Sequence, residues 1–271
     1  MSTLTHETRS VSRPEPGVSF AGAVSSEWIK FRTLRSSWAV LLAAVVAMIA
    51  IGGLIGYVTG SNWNGKLDPE DRVVSAPLQG LFLAQLLIGV LGVLFVSGEY
   101  TTGMIRSTLA AVPRRLPVLL AKALVYGLVT LVTLIPTTFL AFGTAQLFLH
   151  HFGHGSSLSA PTALRSILAT AVYLVLIGLL GSALAWIVRS TPGGISLLVA
   201  ILLVVPVIFG VLPGQWAKDV THYLPSEAGA SFYSSLQSDG ALAPGAGLLV
   251  LVVWVALAMA GAVVLLRRRD G

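Results

Sequence analysis

Few residues of this chain have the types and spacing for chemistry. Gly60 to Lys66 approaches the phosphate-cradling pattern G-x-x-x-x-G-K-[ST], but Leu67 stands where a magnesium-binding hydroxyl is needed. The stretch reads as a Gly/Asn turn. His150, His151 and His154 cluster at the end of an apolar run. Histidines at i and i+4 on a helix can share a metal. Gly153 and Gly155 end the helical pattern there and no carboxylate is near in sequence, so a solvated loop is expected and no metal site is assigned. Asp219, Glu227 and Asp239 share a late polar segment without a spacing that pairs them for acid–base work. There is no H-E-x-x-H and no G-x-S-x-G, and the absence of cysteine excludes thiolate chemistry and disulfides. These residues point away from an enzyme.

The elements that would position any site are set by composition. Of 271 residues 55% are hydrophobic and 10% charged, and the mean hydropathy is +0.85. A soluble domain carries about 25% charge, so a soluble enzyme is excluded. Disorder is excluded because it requires low hydrophobicity and high charge. The net charge of +6 is what basic cytoplasmic loops give a membrane protein, and no nucleic-acid partner is expected.

Six runs are long and apolar enough to cross ~30 Å of hydrocarbon. They are about 38–58, 78–97, 123–148, 167–188, 195–212 and 246–266. None alternates as a barrel strand would, and backbone in lipid must pair internally. The expected fold is an all-α integral membrane protein. With the N-terminus inside, the inner segments hold 13 Lys/Arg residues and the outer ones only Lys66, Arg72, Arg165 and Lys218. The positive-inside rule then places both termini in the cytoplasm.

Residues 1–17 read as a disordered cytoplasmic tail, and 18–271 as one transmembrane domain. Phe20, Val24, Trp28, Phe31, Leu34 and Trp38 recur at helical steps and form one stripe. This predicts an amphipathic elbow helix in the inner interface, anchored by Trp28, Lys30 and Arg32. Glu27 falls within the stripe, and Lys30, three residues on, is its candidate partner. Inside the spans the polar side chains are neutral. Gln85, Thr130, Thr133 and Thr137 are candidates for a weakly polar conduit wall, or for helix–helix packing, where Thr is common. Pro136 is expected to kink the third span.

Between the second and third spans, Met104–Val112 has a helix-compatible pattern, stopped by Pro113. The order Glu99, Tyr100, Gly103, Arg106, Leu109, Pro113, Arg114, Arg115, Lys122 resembles the inner loop of ABC transporter permeases of the type-2 (exporter) class. Residues 26–38 are similar to the elbow helix that opens many bacterial members, and 216–232 resembles their short re-entrant helices before the last span.

The resemblance implies a six-span permease in the bacterial plasma membrane. Such units work as a homodimer or with a similar permease. A separate cytoplasmic ABC ATP-binding subunit, which holds ATP and magnesium, drives them; this chain would need no cofactor. Met104–Val112 would be a short coupling helix docking on that ATPase. Glu99 would cap or anchor it, and Gly103, Met104, Arg106, Leu109, Pro113, Arg114 and Arg115 would form the interface. The second and fifth spans would line a conduit between subunits, with Gly89 and Gly92 allowing close approach. A lipophilic or amphiphilic cargo is expected; the alternative is a non-transporting scaffold or mechanotransmitter coupled to an ATPase.

The topology is testable because no native cysteine interferes. Asn64→Cys and Ser235→Cys are expected to react with an impermeant thiol reagent in sealed cells, and Ser107→Cys to stay unlabelled. Labelling at Ser107 would reverse the orientation.

Overall fold

The computed structural model describes residues 19–63, 74, 78–104, 115–155, 162–235 and 240–269. The described residues contain no strand. The N-terminal helix α1 (Phe20–Thr33) starts where the Ser19 hydroxyl accepts the Gly22 N–H at 3.1 Å, a side-chain cap for a free backbone donor. Lys30 and Arg32 sit in its last turn, where cations complement the helix dipole. One extended residue, Leu34, separates α1 from α2 (Arg35–Ser61), the first span. The Trp38 indole N–H donates to the Arg32 carbonyl at 3.2 Å across this elbow.

The next spans are α3 (Leu81–Thr101), α4 (Arg115–His151) and α5 (Ala163–Val188). The fifth is composite: α6 (Thr191–Val199), a π-helical segment Ala200–Val204, and α7 (Val205–Val211). Two short helices, α8 (Gln215–Thr221) and α9 (Pro225–Tyr233), precede the last span, α10 (Pro244–Arg269). Among the described residues, six helices are thus long and apolar enough to cross a membrane. The third runs unbroken through Pro136 and begins eight residues before the expected start at 123. The fifth contains a π segment that periodicity did not reveal. Pro206 has no N–H to offer residue 202, and the Val205 N–H reaches back five residues to the Ala200 carbonyl.

The second and fourth spans form the hub. Gly89 and Gly92 of α3 lie against Gly178 and Gly181 of α5, so closely that a Cβ at Gly92 would collide with the Gly178 carbonyl and one at Gly181 with the Gly89 carbonyl. These glycines therefore bring two spans of one subunit together, which corrects their expected place between subunits. Lipid tails are as apolar as leucine, so spans associate through close packing rather than through water exclusion, and small residues permit it. The Tyr126 hydroxyl of α4 lies against Gly178 and donates to the Ile88 carbonyl at 2.7 Å, joining the third span to the hub. At the opposite end from α1, Arg165 donates to the carbonyls of Phe232 and Ser234 at 3.1 and 2.9 Å, holding α9 to α5.

Gly92→Ala is expected to force the hub helices apart and cost about 1–3 kcal/mol, the range for overpacking. Gly127→Ala, where a Cβ meets nothing within 4 Å, is expected to be neutral or stabilising. Thermal unfolding of the two detergent-purified variants measures the difference.

Candidate functional site

Four charged side chains meet where α1, α3 and α4 converge. The Lys122 ammonium donates to Glu27 Oε2 at 2.5 Å and to Glu99 Oε1 at 2.9 Å. The Lys30 ammonium donates to Glu27 Oε1 at 2.6 Å and to Glu99 Oε1 at 2.8 Å. Glu27, Glu99 and Lys122 are each at most 5% exposed. Two ammoniums and two carboxylates sum to zero, the condition under which charges tolerate such burial. Lys122 has further support from the Phe95 carbonyl at 3.4 Å and from the Phe95 ring, whose centroid lies 4.3 Å away. Phe95 in turn meets Phe31 edge-on at 5.2 Å.

Each element brings its residue for a local reason. On α1, Ala23, Glu27 and Phe31 are spaced by four and form the buried face. Phe20, Trp28, Leu34 and Trp38 are exposed. The apolar stripe therefore faces away from the bundle, and only Val24 and Phe31 of it turn inward. Burial of Lys30 opposes its charging, but hydrogen bonds to Glu27 and Glu99 and their negative charge outweigh that and raise its pKa above the usual lysine value. A raised lysine pKa favours the folded state below the unfolded value and is lost only as pH climbs through the raised one. The link is at full strength at neutral pH.

The same end of the bundle carries a second knot. Thr191 donates to the Ser97 hydroxyl at 2.8 Å, fastening the start of the fifth span two residues before Glu99. Arg189, left-handed at φ 59°, caps α5 and holds its guanidinium 5.6 Å from the Tyr100 ring centroid. Tyr100 meets Trp186 edge-on at 5.9 Å.

The sequence-predicted residues divide into three groups. Glu27 and Lys30 pair as their spacing suggested. Glu99 lies inside the last turn of α3, with Oε1 taken by the two lysines and Oε2 without a hydrogen-bond partner among the described residues. Gly103 has φ 73° and Met104 is exposed. Arg106, Leu109, Pro113 and Arg114 lie outside the described residues, and Arg115 is the first residue of α4. Trp28 and Arg32 are exposed. Gln85 is buried and accepts the Tyr173 hydroxyl at 2.6 Å. Thr130, Thr133 and Thr137 each return their hydroxyl to a carbonyl of α4 four residues back. The His154 ring stacks on Trp63 with centroids 4.1 Å apart.

The roles of Lys122 and Arg189 were missed. The signal for Lys122 was available: a lysine inside an apolar run requires a counter-charge. Nothing in the sequence marked Arg189 as left-handed.

The profile of the ABC-2 family transporter proteins matches residues 23–207, more than half of the chain. The chain belongs to the ABC-2 transporter family. No curated protein matches it. It is thus a multi-pass membrane protein of the ABC transporter permease type, and this membership implies partnership with an ABC ATP-binding subunit. The matched stretch of this ABC-2 permease includes all four charges of the cluster.

Lys122→Met leaves Glu27 buried with Lys30 alone and is expected to cost about 3–5 kcal/mol. Adding Glu27→Gln removes the stranded charge and is expected to restore part of that. A double-mutant cycle on unfolding midpoints reads the coupling. Additive losses would mean that the two groups do not act as a pair.

Proposed function

We propose that this ABC-2 permease is the membrane subunit of an ATP-driven exporter of lipophilic or amphiphilic compounds. It works as a dimer in the bacterial plasma membrane with both termini cytoplasmic. The observation that carries this reading is the four-charge cluster, because it brackets the segment proposed to dock on the ATPase. Glu99 precedes that segment, Lys122 follows it, and Glu27 and Lys30 clamp the elbow helix to both. A push on residues 104–112 then reaches the second and third spans together instead of being absorbed by a loose loop. The cluster does this by position, with no chemistry of its own. ATP and magnesium belong to the partner subunit. The elbow helix, with its aromatic stripe turned outward, suits a hydrocarbon surrounding on that face.

The cargo class follows from the polar groups deep in the described spans, which beyond the cluster are neutral. A proton- or ion-coupled path uses charged side chains or a filter; a lipophilic compound needs neither. One observation favours the second reading, a non-transporting mechanotransmitter. Gln85, Thr130, Thr133 and Thr137 already spend hydrogen bonds within the subunit. Cargo-stimulated ATP hydrolysis by the purified complex, screened with hydrophobic drugs and lipids, separates the two. Stimulation supports export, and a flat response across the panel supports the scaffold.

Glu99→Gln and Arg106→Glu are expected to leave the chain inserted and dimeric. Each is expected to lower the transport rate on the order of tenfold, equivalent to about 1.4 kcal/mol. Arg106→Glu also weakens ATPase binding by charge reversal. Wild-type transport by both variants would remove the coupling role of this segment.

A further inference from the structure

A pocket of about 160 Å³ lies where the starts of α3 and α5 meet the end of α9. Leu81 opens α3 and Glu99 stands in its last turn, about 27 Å away at 1.5 Å per residue. The pocket is therefore at the opposite end of the bundle from the charged cluster. Leu81 and Phe82 give it an apolar wall, and Gln79, Ser166, Tyr233 and Ser235 a polar one. The Oγ atoms of Ser166 and Ser235 are buried without a hydrogen-bond partner among the described residues. Ser166 as a whole is 1% exposed. On the same helix, Thr170 and Ser182 return their hydroxyls to carbonyls four and three residues back; Ser166 does not. One turn further along α3, Gln85 accepts the Tyr173 hydroxyl at 2.6 Å, so the polar pair beyond the pocket is satisfied.

We propose that this pocket binds a neutral, hydroxyl-bearing group of glycerol size. A buried hydroxyl left unpaired is destabilising, and an occupant relieves this only by bringing donors and acceptors of its own. Each hydroxyl donates one hydrogen bond and accepts two, so an alcohol complements both serines. Among the described residues no ionisable side chain other than the Tyr233 phenol lines the pocket, and a buried ion without a counter-charge is far less tolerable than a neutral polar group. Arg165, next to Ser166 in the chain, holds its guanidinium on the Phe232 and Ser234 carbonyls at 3.1 and 2.9 Å. It fixes the rim that carries Ser235 and does not line the pocket.

Size narrows the class further. A cavity of ~150 Å³ accepts benzene, about six heavy atoms, and glycerol has the same number. Leu81 and Phe82 suit the carbons of such a group; a buried water needs two to four polar partners, which that wall does not supply. This chemistry has two sources at this end of the bundle: a free polyol, or the head of a neutral amphiphile such as a monoacylglycerol with its chain along the exposed Phe82. The site does not rest on the export reading, and its test involves neither the ATPase nor transport.

The test uses the full chain in nanodiscs and two probes. The first is a monoacylglycerol with a diazirine beside its ester, with adducts mapped by mass spectrometry and expected on Leu81, Phe82 and Tyr233. The second is free glycerol, read as a rise in unfolding midpoint that is larger for wild type than for Ser166→Ala. Adducts identify the amphiphile; a glycerol-specific rise without adducts identifies the free polyol. Ser166→Ala is expected to raise the half-saturating concentration of the bound probe about three- to tenfold, the worth of one hydrogen bond. It is also expected to leave the probe-free midpoint unchanged or higher. A lower midpoint would overturn the proposal by showing that this hydroxyl already has a partner in the protein. Ala230→Phe, which fills the pocket, is expected to abolish binding; if it fails to insert, Ser235→Ala is read by the same weakening. Equal adducts from a chain-matched diazirine fatty acid, or adducts indifferent to these variants, would overturn the proposal by showing ordinary lipid contact. Neither adducts nor a glycerol-specific rise would overturn it by leaving the pocket to water.

Discussion

Two glutamates and a lysine taken out of water, with a second, half-buried lysine beside them, are the constraint on which one end of this bundle depends. Only 10% of the chain is charged, yet four of those groups share one contact set. Each ion alone would face a desolvation penalty of several kcal/mol, so none can be buried unless the others arrive in register. That requirement fixes the azimuth of α1, the end of α3 and the start of α4 at once. Apolar packing would not do this, since hydrophobic contacts are non-directional and lipid competes for them. The cluster need not add net stability to have this effect; it sets geometry.

The rest of the bundle is graded around a glycine-built hub. The most apolar windows of the fourth and second spans are 72% and 61% buried, against 17% and 11% for the fifth and sixth. Gly89, Gly92, Gly178 and Gly181 let backbones of the hub touch. Polar ties on the outer spans include Thr191 to Ser97 at one end and Trp254 to Tyr223 further along the bundle. A tightly packed hub, clamped to the elbow helix and bordered by less buried spans, is an arrangement in which force applied near Glu99 has a rigid body to act on.

Much of this was legible before any fold. The six spans, their helical character and the i, i+3 pair of Glu27 and Lys30 follow from hydropathy, hydrogen-bond satisfaction and local spacing, which are properties of short windows. The short helices before the last span came only from the resemblance of residues 216–232 to a segment of known permeases, not from hydropathy or spacing. The elbow stripe was legible as a pattern; that Glu27, Val24 and Phe31 within it turn to the bundle was not. In water an apolar stripe points to the core, but in hydrocarbon Trp28 loses nothing by pointing out, and Glu27 must point in.

The sequence by itself determined how many times the chain can cross a membrane and in what secondary structure, because ~20 apolar residues leave a backbone no option but the helix. Only the tertiary structure decided which charge meets which. Lys30 meets a carboxylate 69 residues away and Lys122 one 95 residues away. It also decided that Gly89 and Gly92 serve contacts within the subunit, and that Ser166 and Ser235 line one pocket. Those outcomes depend on the rotation and crossing of whole helices, and helix rotation in lipid is set by a few polar and small residues acting across the bundle rather than by the period of the apolar ones.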